Sequence, residues 1–248
     1  MEALLALLLV VASVAAGVLL TREAAPATET RAAASAAVAA DSPGSTALDG
    51  DFSQVYADVA DGVGLVVVVS CAGESFTGSA FLVGADTMLT AAHVVSDVAD
   101  VRVELDAAVV GATVESIDLT HDLALLRLDA PVPGHVFEFS SGDPPTGAPV
   151  AAIGYPLGEA RTLTVGTISG LDRDISTETG DYEGLVQTDT AINPGSSGGP
   201  VLAASGEVVA VADAVRIDAQ GIGFGVAASV AADLAHGSGP RTSPQPCR

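Results

Sequence analysis

From Phe52 to Ala235 the chain is built of short apolar runs bounded by Gly, Asp and Pro. They are Leu65–Val69, Ser79–Val83, Met88–Ala91, Val101–Leu105, Leu123–Leu128, Val150–Ile153, Leu163–Ile168, Leu185–Gln187, Val208–Ala212 and Ile222–Val226. Runs this short and this rich in Val predict β-strands, because a buried helix needs roughly ten or more residues. After Pro200 the pattern adds strand, turn (Ala204-Ser205-Gly206-Glu207) and strand. A Pro/Gly-rich break, residues 140–149, divides the strands into two similar groups. The pattern therefore predicts an all-β fold of two barrels, at about 52–140 and 149–235. Only Val226–Ala235 reads as helix, and the polar stretch His236–Arg248 reads as a frayed tail.

Ahead of this body, Ala3 to Leu20 is an unbroken apolar or small-residue run of eighteen. As a helix it would reach about 27 Å, near the hydrocarbon thickness of a bilayer. Residues 1–21 are expected to be a signal anchor or a signal peptide, although the basic n-region of a secretory signal is missing. Residues 22–51, rich in Ala, Thr and Ser without an apolar period, are expected to be a flexible linker. Arg22 and Arg31 just after the run would nominally keep the body inside, against the reading from the cysteines below.

The 248 residues suffice for a sizeable core, but aromatics are 4% and Trp is absent, so that core must be Val, Ala, Leu and Ile. Formal net charge is −22, with nine Arg and no Lys. Between residues 51 and 236, 26 acidic and five Arg side chains give −21, so the acidity belongs to the body. Sequence-independent nucleic-acid binding is excluded on that ground. Such a surface fits either a salty milieu or a biased genome composition. Cys71 and Cys247 either pair, which suits an oxidising compartment, or remain free thiols. No metal site is expected, since neither has a second ligand at metal spacing.

The segment from Asn193 to Pro200 reads Asn-Pro-Gly-Ser-Ser-Gly-Gly-Pro. A Ser held among glycines has the backbone freedom to aim its own N–H and that of Gly195 at one point, where an oxyanion can be held. Upstream lie Met88-Leu-Thr-Ala-Ala-His93, a strand running into a His, and His121-Asp122-Leu-Ala-Leu-Leu, an Asp at the mouth of a buried strand. Together they give the chain order His93, Asp122, Ser197, that of a chymotrypsin-type triad. Gly195 to Gly199 also satisfies G-x-S-x-G, but an α/β-hydrolase needs its acid and His after the Ser, and only His236 follows.

At these residues the sequence resembles the trypsin-like serine proteases of the HtrA/Deg type. The resemblance spans about Phe52 to Ala235 and rests on Thr90-Ala-Ala-His-Val94, Asp122-Leu-Ala-Leu-Leu126, Thr164-Val-Gly-Thr-Ile-Ser169, the Ser197 segment and Gly221-Ile-Gly-Phe224. It implies two six-stranded antiparallel barrels with the active site between them. It further implies His93 as general base and acid, Asp122 as orienting carboxylate, Ser197 as nucleophile, and the N–H groups of Gly195 and Ser197 as oxyanion hole. No cofactor is implied. The pocket floor would fall at Ala191, followed by Ile192, with Ala214 and Val215 as the facing wall, a set suited to small aliphatic side chains. Asp213, by strand alternation, would face away from Ala212 and Ala214. Asp189 and Asp213 are both expected to be solvated or structural. Ser196 lacks the charge through which digestive trypsins pair with a new N-terminus, so activation by that route is not expected.

About a dozen residues follow Ala235, so the protease domain is expected without a PDZ domain. The implied partners are protein or peptide substrates, in unfolded or exposed segments, with the membrane a partner through residues 3–20 if these stay uncleaved. Relatives often trimerise through the segment that here holds Phe52 and Tyr56, so a trimer is an open expectation. The location implied is extracytoplasmic, membrane-anchored or secreted. The competing reading is a catalytically silent barrel pair acting as a binding or adaptor module.

Overall fold

The computed structural model describes residues 51–106, 108–176, 181–215, 221–243 and 247, with only the backbone of Ala214 and Val215. The apolar run 3–20 and the linker lie outside the described residues. Among the described residues no helix is long and apolar enough to cross a membrane.

Among the described residues twelve strands form two closed barrels. The first contains β1 (Val63–Ser70), β2 (Ser75–Gly84), β3 (Thr87–Ala91), β4 (Val98–Leu105), β5 (Ala108–Asp118) and β6 (Leu123–Leu128). Its strand order is β1-β2-β3-β6-β5-β4, closed by antiparallel pairing of β1 with β4. The second contains β7 (Pro149–Gly154), β8 (Thr162–Ser176), β9 (Asp181–Thr188), β10 (Pro200–Ala203), β11 (Val208–Val215) and β12 (Gly223–Ala227). It repeats the same connectivity, with β7 and β10 closing it. Closure removes the exposed edges that such Val-rich strands would otherwise offer to other chains.

Every expected strand is present, and β5 is an addition. In β5 the short run Ala108-Val109-Val110 is cut by Gly111, and only the last three residues of the strand are buried, so its pattern is weaker than that of its neighbours. Two further helices were not foreseen. In α1 (Phe52–Val59), Asp51 caps the N-terminus by accepting the Ser53 N–H at 3.1 Å, and Phe52 and Val59 are buried. The other, α2 (Ala92–Val95), is a single turn carrying His93. The expected C-terminal helix is α3 (Ala228–His236), which ends on Gly237 in the left-handed conformation. The described residues of the tail beyond it are tethered where a frayed end was expected: Thr242 exchanges backbone hydrogen bonds with Ile117, and Cys247 is disulfide-bonded to Cys71.

The core has three parts. Val66, Leu82, Met88 and Leu126 fill barrel one, and Val150, Ile168, Val201 and Val209 fill barrel two. Between the barrels Phe81, Leu89 and Leu125 meet Ile153, Leu202, Val211 and Leu234. Phe52 is buried inside this fold, and the half-buried Tyr56 lies beneath the Arg161 guanidinium, 5.8 Å from its ring centroid. Arg161 also bonds Asp106 at 2.6 Å, tying the second barrel to the first.

Candidate active site

His93, Asp122 and Ser197 arrive from three elements. His93 sits on α2, directly after β3, whose pairing with β6 sets Ala91 opposite Leu123. The β5–β6 turn is shaped by the buried Asp118, which accepts the N–H groups of Thr120 and His121 and bonds the His121 ring at 2.6 Å. This turn presents Asp122 at φ 53°, a left-handed backbone that Asp tolerates. The buried Asp122 carboxylate accepts the His93 N–H at 2.8 Å and bonds His93 Nδ1. That bond orients the ring and leaves Nε2 as its other face. Burial alone would raise the Asp122 carboxyl, but hydrogen bonds from His93 and Asp213 outweigh it and hold Asp122 below the ordinary range.

The segment that bears Ser197 is clamped by residues far away in the chain. Ser196 N–H donates to Asn193 O at 2.8 Å, closing a tight turn with Pro194 and Gly195 at its centre, Gly195 having φ 93°. Pro followed by a positive-φ Gly is the type II pattern. A Cβ on Gly195 would lie 2.5 Å from Tyr155 O, so no other residue fits there. The Pro194 carbonyl accepts the Leu157 N–H at 2.7 Å. Because the C=O and N–H of a trans peptide point opposite ways, the Gly195 N–H is turned away from Leu157. Ser79, fully buried in β2, accepts the Tyr155 N–H at 2.9 Å and donates to Gly195 O at 2.7 Å. Its own N–H donates to Ser197 O at 2.9 Å.

The Ser197 hydroxyl donates to the backbone carbonyl of Asp213 at 3.0 Å. Of the two expectations for Asp213, solvated or structural, the first fails: it is 6% exposed, and its Oδ1 lies 3.6 Å from His93 Nδ1. Its carboxyl, pushed up to about 9, is raised first by burial and then by the hydrogen bond and charge of Asp122. Asp189, by contrast, is exposed and structural, accepting the N–H and hydroxyl of Thr167.

A cleft of about 640 Å³ passes over this site, lined by Val68, Phe76, Val94, Val98, Ile192 and Ser197 among others. Ile192, expected beside Ala191 at the pocket floor, lines this cleft. Ala191 does not: the Ile192 N–H folds back onto Thr190 O at 2.9 Å, and this tight turn throws Ala191 out to solvent. The backbones of Ala214 and Val215 pair with Phe224 and Gly223 on β12. Ser79, Leu157 and Asp213 are the site residues that sequence reasoning missed or misplaced. Ser79 left a trace as a polar residue opening an apolar run, Asp213 was placed on its strand but given no part in the site, and Leu157 left none.

Comparison with known proteins agrees with this geometry. The chain is 43% identical over 169 residues to the putative serine protease HhoB of Synechocystis, covering 65% of this chain and 40% of that protein. It is 34% identical over 164 residues to a probable periplasmic serine endoprotease DegP-like of Pseudomonas fluorescens, covering 64% of this chain and 34% of the relative. The chain therefore spans well under half the length of these relatives. Among solved structures, the active form of the Rv3671c protease of M. tuberculosis superposes with a TM-score of 0.69 at 27% identity, covering 78% of this chain and 88% of that one. Residues 78–211, which hold the His93–Asp122 pair and the Ser197 turn, match the model of the trypsin-like peptidase domain, and the chain belongs to that family.

Proposed function

We propose that the protein is a serine endopeptidase that hydrolyses peptide bonds in protein substrates through an acyl-enzyme on Ser197. The observation that carries this reading is the His93–Asp122 pair set in the cleft beside the turn that bears Ser197. In the first step the Ser197 Oγ leaves the Asp213 carbonyl, turns to the His93 ring, and attacks the substrate carbonyl while His93 Nε2 takes its proton. Asp122 fixes the ring and stabilises the imidazolium. The N–H groups of Gly195 and Ser197 receive the oxyanion, an arrangement supported by the pinned Pro194 carbonyl. His93 returns the proton to the leaving amine, and water then releases the acyl group by the reverse sequence. No cofactor enters.

The cleft between the barrels takes an extended chain, so the substrates are unfolded or exposed segments of proteins. Its apolar lining, which includes Ile192 but not Ala191, favours small aliphatic side chains at the bond cleaved; of the carboxylates that line it, Asp213 is turned to the His93–Asp122 pair and Asp97 is exposed, so a Lys or Arg there would be desolvated without a counter-charge aimed at it. The disulfide and the periplasmic naming of a relative support an extracytoplasmic location, with residues 3–20 as anchor or signal and a role in protein quality control. Cleavage-site profiling on casein tests the reading. Cuts after Val, Ala, Ile or Leu that vanish in Ser197→Ala are expected. A majority of cuts after Lys or Arg would overturn the pocket, and cleavage that survives Ser197→Ala would overturn the mechanism.

A further inference from the structure

Asp213 touches both ends of the triad. Along β11 and β12 the register runs Ala212 opposite Gly225 and then Ala214 opposite Phe224, which leaves Asp213 as the extra residue of a bulge. A bulge re-aims the side chain it carries. The backbone carbonyl accepts the Ser197 hydroxyl at 3.0 Å, while the carboxyl reaches the His93–Asp122 pair. That carboxyl is almost sealed from water, with a side-chain exposure of 3%. Its Oδ2 is buried with no partner.

The titratable groups that face it are His93 on α2 and Asp122 in the β5–β6 turn. Its neighbours on β12, Gly225 and Phe224, carry none, and among the described residues the remaining ionisable side chain lining the cleft is the exposed Asp97. Among the described residues no Arg lines that cleft. The one imidazole is already engaged by Asp122. Two ionised carboxylates cannot share so dry a site with a single imidazole, and one of them must hold a proton. Asp122 accepts two hydrogen bonds from His93 and is the ionised member. The proton belongs to Asp213, whose environment pushes its carboxyl up to about 9.

We propose that Asp213 is a positioning residue of the triad, whose protonated carboxyl donates a hydrogen bond to Asp122, holds it against His93, and switches the site off when that proton is lost to solvent. On ionisation the donor disappears and two like charges face each other beside His93. Asp122 is then no longer held, and the ring loses its orientation. An alkaline limb thus comes from the acid that supports the triad, separately from the acid limb set by His93.

This inference rests on the proposed function, and the test separates the two. The rate of inactivation by a fluorophosphonate probe is measured from pH 5 to 10.5 in the full chain, with circular dichroism over the same range to confirm folding. The wild-type rate is expected to fall about tenfold per pH unit above about 9, the slope of a single ionisation. Asp213→Asn, which keeps a donor but cannot ionise, is expected to show no such fall. Asp213→Ala, with no donor, is expected to be at least about tenfold slower at pH 7.5, and Asp213→Ser, with a neutral hydroxyl, to recover part of that loss. An alkaline limb that persists in Asp213→Asn or, should that variant not fold, in Asp213→Ser would overturn the proposal. So would an Asp213→Ala rate equal to wild type at pH 7.5. Failure of the wild type to react at any pH would instead overturn the endopeptidase reading.

Discussion

Burying a protonated acid has a thermodynamic signature that needs no substrate. Between the unfolded carboxyl value near 3.8 and the folded value of about 9, the native chain binds one proton more than the unfolded chain at Asp213. Stability from this group is therefore fully present below about pH 4 and drains away as pH rises toward 9. The loss is about 1.4 kcal/mol per pH unit. Between pH 5 and 8 it comes to about 4 kcal/mol as a ceiling. For a folded body of this size each kcal/mol moves Tm by about 2–4 °C, so the ceiling is about 8–16 °C. Asp213→Asn cannot titrate and escapes this loss. The other acids titrate in both proteins, and the difference between the two Tm curves isolates Asp213. Scanning fluorimetry or calorimetry at pH 5, 6, 7 and 8, at fixed salt and with the disulfide intact, should show the variant gaining on the wild type at every step. Parallel curves would mean that Asp213 is ionised in the fold, and the reasoning about the triad's proton would fall with it.

Other parts of the structure give expectations of their own. Ser197→Ala should remove nearly all turnover, and adding His93→Ala should cost little more, because the members act as one unit; strongly additive losses in kcat/KM would argue against a triad. The Cys71–Cys247 bond spans 176 residues, for which the chain-entropy model gives about 5 kcal/mol, so Cys71→Ser with Cys247→Ser should lower Tm well outside error, and an unchanged Tm would show that the bond does not constrain the unfolded chain. With −21 over residues 51–236, raising salt shortens the Debye length from about 30 Å at 0.01 M to about 3 Å at 1 M, so Tm should rise with chloride concentration, and a level or falling trend would contradict self-repulsion.

The barrels were legible because each interior face asks for a short apolar run, and turn residues separate the runs. β5 was not, because most of it is half-buried or exposed and its polar side chains serve a surface network in which Glu115 bonds Arg127. Helix α1 was legible and overlooked: Phe52, Val55, Tyr56 and Val59 recur at the 3.6-residue period behind a capping Asp51. The triad residues each announce themselves in a few neighbouring positions. Asp213 does not, since the aim of its side chain depends on a register shift between β11 and β12 that no local pattern encodes. Strand alternation put Asp213 away from Ala212, and its carboxyl there lies beside the His93–Asp122 pair. Leu157, at φ 58° and offering its N–H to Pro194, belongs with it, because nothing about a Leu between Pro and Gly marks a left-handed position.

The central claim is that Ser197 is an activated nucleophile. Its most direct test is reaction of the folded protein at pH 7.5 with a fluorophosphonate, followed by intact mass and peptide mapping. One adduct per chain on Ser197, absent when His93 is replaced by Ala, is the predicted result. No adduct, or one placed on another hydroxyl such as Ser196, would contradict the account.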